Sequence, residues 1–287
     1  MLLELGTPQG AIFPRSTNKP LQAAIMLELG LDLPAELLAV ACASHIGLPM
    51  HVGAVREILA RSGLTEADLA NTPSLPDDPD AAKAVLAAGG GPDRLHQNCS
   101  GNHAAMLATC VAAGWPTAGY LAPAHPLQLK IHDGYEQMAG TPMGAVAVDG
   151  CGAPLYAVSL IGLARAYLGL ASAVRAGADD PRARVAAAMT GFPDLVDGPG
   201  RPSSGLMAAL PGLLAKSGAE GVFAAALPDG RAIALKIDDG AMRACVPVLV
   251  AALRELGVDR PGFERFATSP IFGHGRAVGE VRAAAFR

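Results

Sequence analysis

The sequence predicts one α/β domain, with a mixed or antiparallel sheet and many helices. Three observations carry that prediction. Apolar residues recur at helical spacing in several segments that Gly and Pro separate. Two β-rich runs flank Asp229-Gly230 in "GVFAAALPDGRAIALKIDDG", the strongest short hairpin signal in the chain. No repeat of about 20 to 50 residues and no linker divides the 287 residues, so 1–287 reads as a single domain near the upper size for one core.

The elements follow in order. Residues 1–13 read as the end of a hairpin: "LLELG", a turn at "TPQG", then "AIF". A chain that opens on a strand leaves that strand's upstream partner unaccounted for. Leu21, Ala24, Ile25, Leu27 and Leu29 fall at helical spacing, stopped by Gly30. "PAELLAVACASH" has Pro34 suited to a first helical turn, and "VGAVREILARSG" ends on Gly63. "TEADLA" predicts a helix opening on Thr65, with Glu66 and Asp68 in its positive first turn. "NTPSLPDDPD" and "AAGGGPDRLHQNCSGNH" are loops, and the helix "AAMLATCVAAG" runs to Gly114. "GAVAVDGCGAPLYAVSL" reads as strand, Gly turn, and return strand or helix start. After further helix and the Asp229-Gly230 hairpin, "AMRACVPVLVAALRELG" is a long helix, and the tail from Val258 is less regular.

Composition excludes several classes. Hydrophobic residues make up 51% and aromatic ones 4%, with a mean hydropathy of +0.32, which is globular and not disordered. A net charge of -4 gives no electrostatic footprint for nucleic acid or an anionic membrane. The N-terminus carries an early Glu4 and no basic segment, unlike a signal peptide. The uncharged run Leu37 to Val55 contains His45, Pro49 and His51 and lacks basic flanks, so it reads as buried helix and active-site wall rather than a membrane span. Five cysteines without a secretion signal read as thiols. A cytoplasmic protein is the expectation.

Ser16 and Lys19, in "FPRSTNKPLQ", have S-x-x-K spacing at a helix start. Side chains three apart share a helix face. A lysine whose proton affinity is lowered by burial or a cationic neighbour can take a serine's proton. S-x-x-K is the acylation apparatus of penicillin-recognising serine enzymes; the alternative is an N-cap serine and a solvated lysine. Alternation in "AIALKI" puts Ala234 and Lys236 on one strand face and Ile233, Leu235 and Ile237 on the other, so a late strand lysine stands as a second candidate beside a solvated one. The lack of K-T-G and of a clean S-D-N argues against a β-lactamase proper. Ser44 and His45 end an apolar helix at a Gly/Pro turn, placed for a pocket wall or for a helix cap. Cys99 precedes a helix start, where a thiolate is stabilised, and Cys151 lies in a Gly turn beside Asp149. These are metal candidates or structural cysteines, with no C-x-x-C between them. Asp149, at a strand end among glycines, suits a substrate amine or amide.

Together "FPRSTNKPLQ", "ASHIGLPMHV", "LHQNCSGNHAAMLATC", "GWPTAGYLAPAHPLQ", "VAVDGCGAPLYAVSL", "PGLLAKSGAEGV" and "ALPDGRAIALKIDDG" run in order along nearly the whole chain. They resemble the bacterial L-asparaginase II-type family, the thermolabile asparaginases. The resemblance implies a serine β-lactamase/glutaminase-like fold, with a central, mostly antiparallel sheet flanked by helices. It implies hydrolysis of L-asparagine to aspartate and ammonia by a homodimer, through two Ser–Lys pairs. These fall on Ser16 with Lys19, nucleophile and base, and on Ser44 with Lys236, which relay protons. Arg15, His45, Asn102, His103 and Asp149 form the implied substrate-binding set. The family's zinc position falls on Cys99, Asn102 and Cys151.

Three departures bear on these expectations. The family's C-S-G-K is C-S-G-N here, so Asn102 replaces a lysine amine with a neutral amide, and weak or absent zinc binding follows. Its S-H-S-G-E-P is "SHIGLP", with Ile46 and Leu48 replacing two polar groups beside Ser44. The family also has another strand before "LLELG". Alternatives are a glutaminase, a peptide amidase or a penicillin-type acyltransferase on the same fold, or a weakened relative that binds a small amino acid or metal. Cys99 and Cys151 are expected close enough for oxidation to couple them.

Overall fold

A computed structural model describes residues 2–177 and 180–286. The chain runs β1 (Ala11–Ile12), α1 (Lys19–Glu28), α2 (Ala35–Ala41), α3 (Pro49–Arg61), α4 (Pro79–Ala87), α5 (Ser100–Ala112) and α6 (Pro126–Ala139). It continues through β2 (Val146–Val148), β3 (Pro154–Tyr156), β4 (Val158–Ser159), α7 (Leu160–Ala176), α8 (Pro181–Gly191), α9 (Pro193–Val196) and α10 (Pro202–Ala209). It closes with β5 (Leu214–Gly218), β6 (Val222–Ala226), β7 (Ala232–Lys236), α11 (Cys245–Glu255), β8 (Thr268–Gly273) and β9 (Arg276–Arg282). All strand pairings among the described residues are antiparallel: β1 with β4, β2 with β3, β5-β6-β7, and β8 with β9. The fold is therefore α/β with small antiparallel sheets. No helix among the described residues is long and apolar enough to cross a membrane.

Two helices form the centre. α1 buries every residue from Lys19 to Leu27, and α5 every residue from Ser100 to Cys110. Helices buried all round need close neighbours, and small residues provide them. A Cβ on Gly101 would lie 2.4 Å from the Val40 carbonyl oxygen, so only glycine lets α5 press onto α2. That contact brings the start of α5 to the loop after α2, where Ser44 lies. β6 is buried at every residue, and α7 and α11 pack on the β5-β6-β7 sheet. With both faces of β6 covered, its run "VFAAA" is continuous in apolar residues rather than alternating.

The sheet-forming segments differ most from expectation. "LLELG" forms no strand among the described residues; only Ala11–Ile12 pairs, and its partner is β4. Thr65 opens a single short turn over Glu66–Asp68 rather than a longer helix: Asp68 accepts from the Thr65 N–H at 2.8 Å as at a helix start, but Leu69 is already extended, with ψ 134. β5 and the β8–β9 hairpin arise where no strand was expected, in "LLAKSG" and in the tail. The Asp229-Gly230 hairpin forms as the turn chemistry dictates, with Gly230 at φ 90 and β6 paired to β7 in the register Ala226↔Ala232.

Candidate active site

α1 begins on Lys19, with Pro20 in its first turn, and both are buried. The preceding tight turn, Arg15–Asn18, carries Ser16, which is half-buried. Thr17 pins the turn: its hydroxyl donates to the Pro14 carbonyl at 2.7 Å, and Tyr167 donates to the Thr17 carbonyl at 2.8 Å. Arg15 adopts a left-handed φ of 51, which a residue with a side chain holds only under constraint. The constraint is visible. Arg15 pairs with Asp149 at 2.7 Å and with Glu220 at 2.8 Å. The 3.2 Å hydrogen bond from the Thr17 N–H to the Pro14 carbonyl closes the turn.

Lys19 turns inward rather than into solvent. Its amine donates to the Ala43 carbonyl at 2.6 Å and to Ser44 Oγ at 3.2 Å. A second amine reaches the same hydroxyl from the opposite side: Lys216 Nζ lies 2.9 Å from Ser44 Oγ and 2.9 Å from the Ser217 carbonyl. Of the five lysines in the chain, Lys83 and Lys130 are exposed and Lys236 is half-buried; the two buried ones meet at Ser44. Burying two like charges around one serine costs several kcal/mol, about the scale of an ion's desolvation in a protein. Burial, and after it the charge of Lys19, pushes the Lys216 amine down to about 7. At neutral pH this lysine therefore spends much of its time with a free lone pair, the form that accepts a proton.

The lysine paired with Ser44 is thus Lys216 and not Lys236, which corrects the sequence expectation. The register shows how the two differ. Lys216 aligns with Ala224 and Ala234, while Lys236 aligns with Val222 and, through it, Gly218. Alternation put Lys236 on the correct sheet face but in the wrong strand. Two strand spacings and two residues separate the lysines, roughly 12 Å. Lys236 donates to the Ile237 carbonyl at 2.5 Å and lines an apolar groove with Leu3, Leu5, Ile161 and Ile233, away from the serines. The missed signal was "KSG" at 216–218, a serine counterpart of the K-T-G strand motif. Gly218 completes it physically. A Cβ there would lie 2.7 Å from the Pro14 carbonyl, so glycine lets β5 press against the turn that carries Ser16.

The expected substrate-binding residues divide. Arg15 and Asp149 are joined beside Ser16. His45 is placed otherwise: it is fully buried, its Nδ1 accepts from the Gly47 N–H at 3.1 Å, and its Nε2 meets Ser100 Oγ at 2.9 Å. It stacks on His51 at 5.0 Å, and burial holds it well below the usual histidine range. Both nitrogens are used within the protein, so His45 staples the Ser44 loop rather than contacting substrate. His103 is also fully buried, with Nδ1 2.7 Å from the Tyr120 hydroxyl and Nε2 without a partner. Burial, then the charge of Lys19, pushes it down to about 3, so it is neutral. Asn102 Nδ2 donates to the Ala41 carbonyl at 3.1 Å, tying α5 to α2 just before Ser44. Ile46 is buried and fills the space over Gly198, where a Cβ would lie 2.6 Å from its Cδ1.

Cys99 and Cys151 do come together, packed with Ala153. The donor set around them does not fit zinc. A closed zinc site takes four ligands, and a catalytic one three with an open position. Here there are two sulfurs. Asp149 is engaged by Arg15, and the amide nitrogen of Asn102 is spent on Ala41. Among the described residues no three His, Cys, Asp or Glu side chains form a metal-binding group.

Ser44 bridges two buried amines, and the turn that carries the half-buried Ser16 lies between the start of α1 and the K-S-G strand. No curated protein matches the chain. The family model for L-asparaginase II matches residues 1–283, nearly the whole length, and the chain belongs to the L-asparaginase II family.

Proposed function

We propose that the protein hydrolyses L-asparagine to L-aspartate and ammonia, with Ser16 as nucleophile and Lys19, Ser44 and Lys216 as its proton-transfer array. The observation that carries this reading is the Lys19–Ser44–Lys216 chain, 3.2 Å and 2.9 Å between successive polar atoms, ending on an amine held near 7. It has the layout of the penicillin-recognising serine enzymes, in which S-x-x-K, a second serine and a strand lysine act together. Family membership supports an asparaginase-type amidohydrolase in general.

Ser16 Oγ attacks the side-chain amide carbon while its proton passes to Lys19 and along Ser44 to the free amine of Lys216. The proton returns to the leaving nitrogen, ammonia departs, and an acyl ester remains on Ser16. Water, deprotonated by the same array, then hydrolyses the ester. Arg15 and Asp149 offer opposite charges beside Ser16 for the substrate's α-carboxylate and α-amine. No step is assigned to zinc. The serine β-lactamase/glutaminase-like fold, the homodimer and the cytoplasmic setting belong to the same proposal.

Ammonia release from L-asparagine and L-glutamine, with and without added zinc, tests the reading in wild type, Ser16→Ala, Lys216→Ala and Lys236→Ala. Loss in the first two variants and retention in the third is expected, with no zinc requirement and asparagine preferred. Asparagine binding without turnover by wild type overturns the enzyme assignment. Acylation of Ser44 in place of Ser16, read by mass on a trapped acyl-enzyme, overturns the choice of nucleophile.

A further inference from the structure

The five thiols fall into two kinds. Cys42, Cys110 and Cys245 are wholly buried at 0% exposure, whereas Cys99 and Cys151 each keep 5% and form a small cluster with Ala153, apart from the main core. The side chains of Cys99 and Cys151 pack together within that cluster. Cys99 sits at the N-terminus of α5, its N–H held by Gln97 Oε1 at 3.0 Å and its thiol donating to Asn98 Oδ1 at 3.0 Å. Cys151 sits in the 149–152 turn, closed by the Gly152 N–H on the Asp149 carbonyl at 2.8 Å, with Gly152 at φ 94.

We propose that Cys99 and Cys151 form an oxidation site, at which a peroxide links them as a disulfide and shuts down the serine site. The Cys99 sulfur attacks one peroxide oxygen, the O–O bond breaks, and the first water leaves with a sulfenic acid on Cys99. The Cys151 sulfur then attacks the Cys99 sulfur, the S–O bond breaks, and the second water leaves. Two thiols lose two electrons and two protons, and one peroxide becomes two waters.

The consequence follows from what each cysteine adjoins. A disulfide brings sulfurs to about 2.05 Å, far closer than a thiol hydrogen bond, so the 149–152 turn is drawn toward α5. That turn carries Asp149, whose carboxylate holds Arg15 in its left-handed conformation immediately before Ser16. Cys99 heads α5, whose Asn102 amide donates to the Ala41 carbonyl just before Ser44, so the same pull bears on the Ser44 loop. The shut-off rests on the proposed asparagine hydrolysis; the oxidation site does not.

The test treats the full chain with hydrogen peroxide at near-equimolar concentration, then alkylates it under denaturing conditions. Three alkylations in place of five are expected, with an unalkylated mass lower by two hydrogens and a linked Cys99–Cys151 peptide in a non-reducing digest. Asparagine turnover should fall at least tenfold and return with a thiol reductant, and Cys110→Ala should still form the link. Five alkylations after peroxide, or sulfinic acid on Cys99 with no linked peptide, overturn the site. A complete link with unchanged turnover overturns the switch. Thiol count and peptide map are read without any turnover, so failure of the asparagine reading leaves the oxidation result decisive.

Discussion

Lys216 Nζ lies 2.9 Å from Ser44 Oγ, in a position fully shielded from water, while Lys19 Nζ approaches the same oxygen to 3.2 Å. One hydroxyl between two buried amines can pass a proton from either to the other. The first prediction is therefore a contrast between two strand lysines. Lys216→Met should lower kcat/KM for asparagine by about 10²–10⁴-fold, the usual scale for losing a general acid–base group. Lys236→Met should leave it within about twofold, because its amine meets only the Ile237 carbonyl. Steady-state ammonia release with both variants decides this, and a large loss in Lys236→Met would contradict the assignment.

The second prediction concerns pH. Protonated Lys216 cannot accept a proton, so kcat/KM should rise as pH passes through about 7 and level off above it. Stability moves in the same direction. Between about 7 and the ordinary lysine value, the unfolded chain binds a proton that the folded chain does not, so folding is favoured as pH rises. Below that window the penalty of burying the charge is fully present, a few kcal/mol at ~1.4 kcal/mol per tenfold change in proton affinity. Denaturant titrations from pH 6 to 9 should show wild type gaining stability with pH and Lys216→Met gaining much less.

The third concerns Gly218. Its added Cβ in Gly218→Ala meets the Pro14 carbonyl at 2.7 Å and the Thr17 nitrogen at 3.3 Å. Both atoms are backbone and cannot rotate away, so the Ser16 turn must shift. A stability loss of about 1–3 kcal/mol is expected, as for other overpacked sites, with kcat falling more than KM rises. Thermal unfolding beside steady-state kinetics measures the two effects.

The fourth separates backbone strain from charge at Arg15. Glycine adopts φ 51 without strain, so Arg15→Gly removes a steric cost at the same time as two ion pairs, and thermal stability should change by less than about 1 kcal/mol. Substrate recognition should suffer instead, with KM for asparagine rising at least tenfold. Asp149→Asn should raise KM in the same direction while leaving Arg15 in place.

Much of the chemistry was legible because it is local. Ser16 and Lys19 lie one turn apart in sequence, Pro20 marks the helix start, and the Asp229-Gly230 turn sets its own hairpin register. What failed was pairing across the fold. Lys236 and Lys216 share a sheet face, and alternation alone cannot tell which of the two edge strands, β5 or β7, lies against the turn that carries Ser16; that distinction lies in the β5-β6-β7 order and in Gly218 approaching Pro14. His45 and His103 came from the family resemblance, yet the fold commits three of their four nitrogens to internal partners, and burial lowers the proton affinity of both rings.

The amino-acid order by itself determined the S-x-x-K turn, the seven ordered blocks and the replacement of the family lysine by Asn102, since each is a statement about neighbours along the chain. Tertiary structure alone decided which lysine meets Ser44, that its amine sits near 7, and that Cys99 and Cys151 pack together. The physical reason is the same for all three. Proton affinity and coordination are set by what surrounds a group in space and how little water reaches it, and those surroundings come from segments up to 172 residues apart.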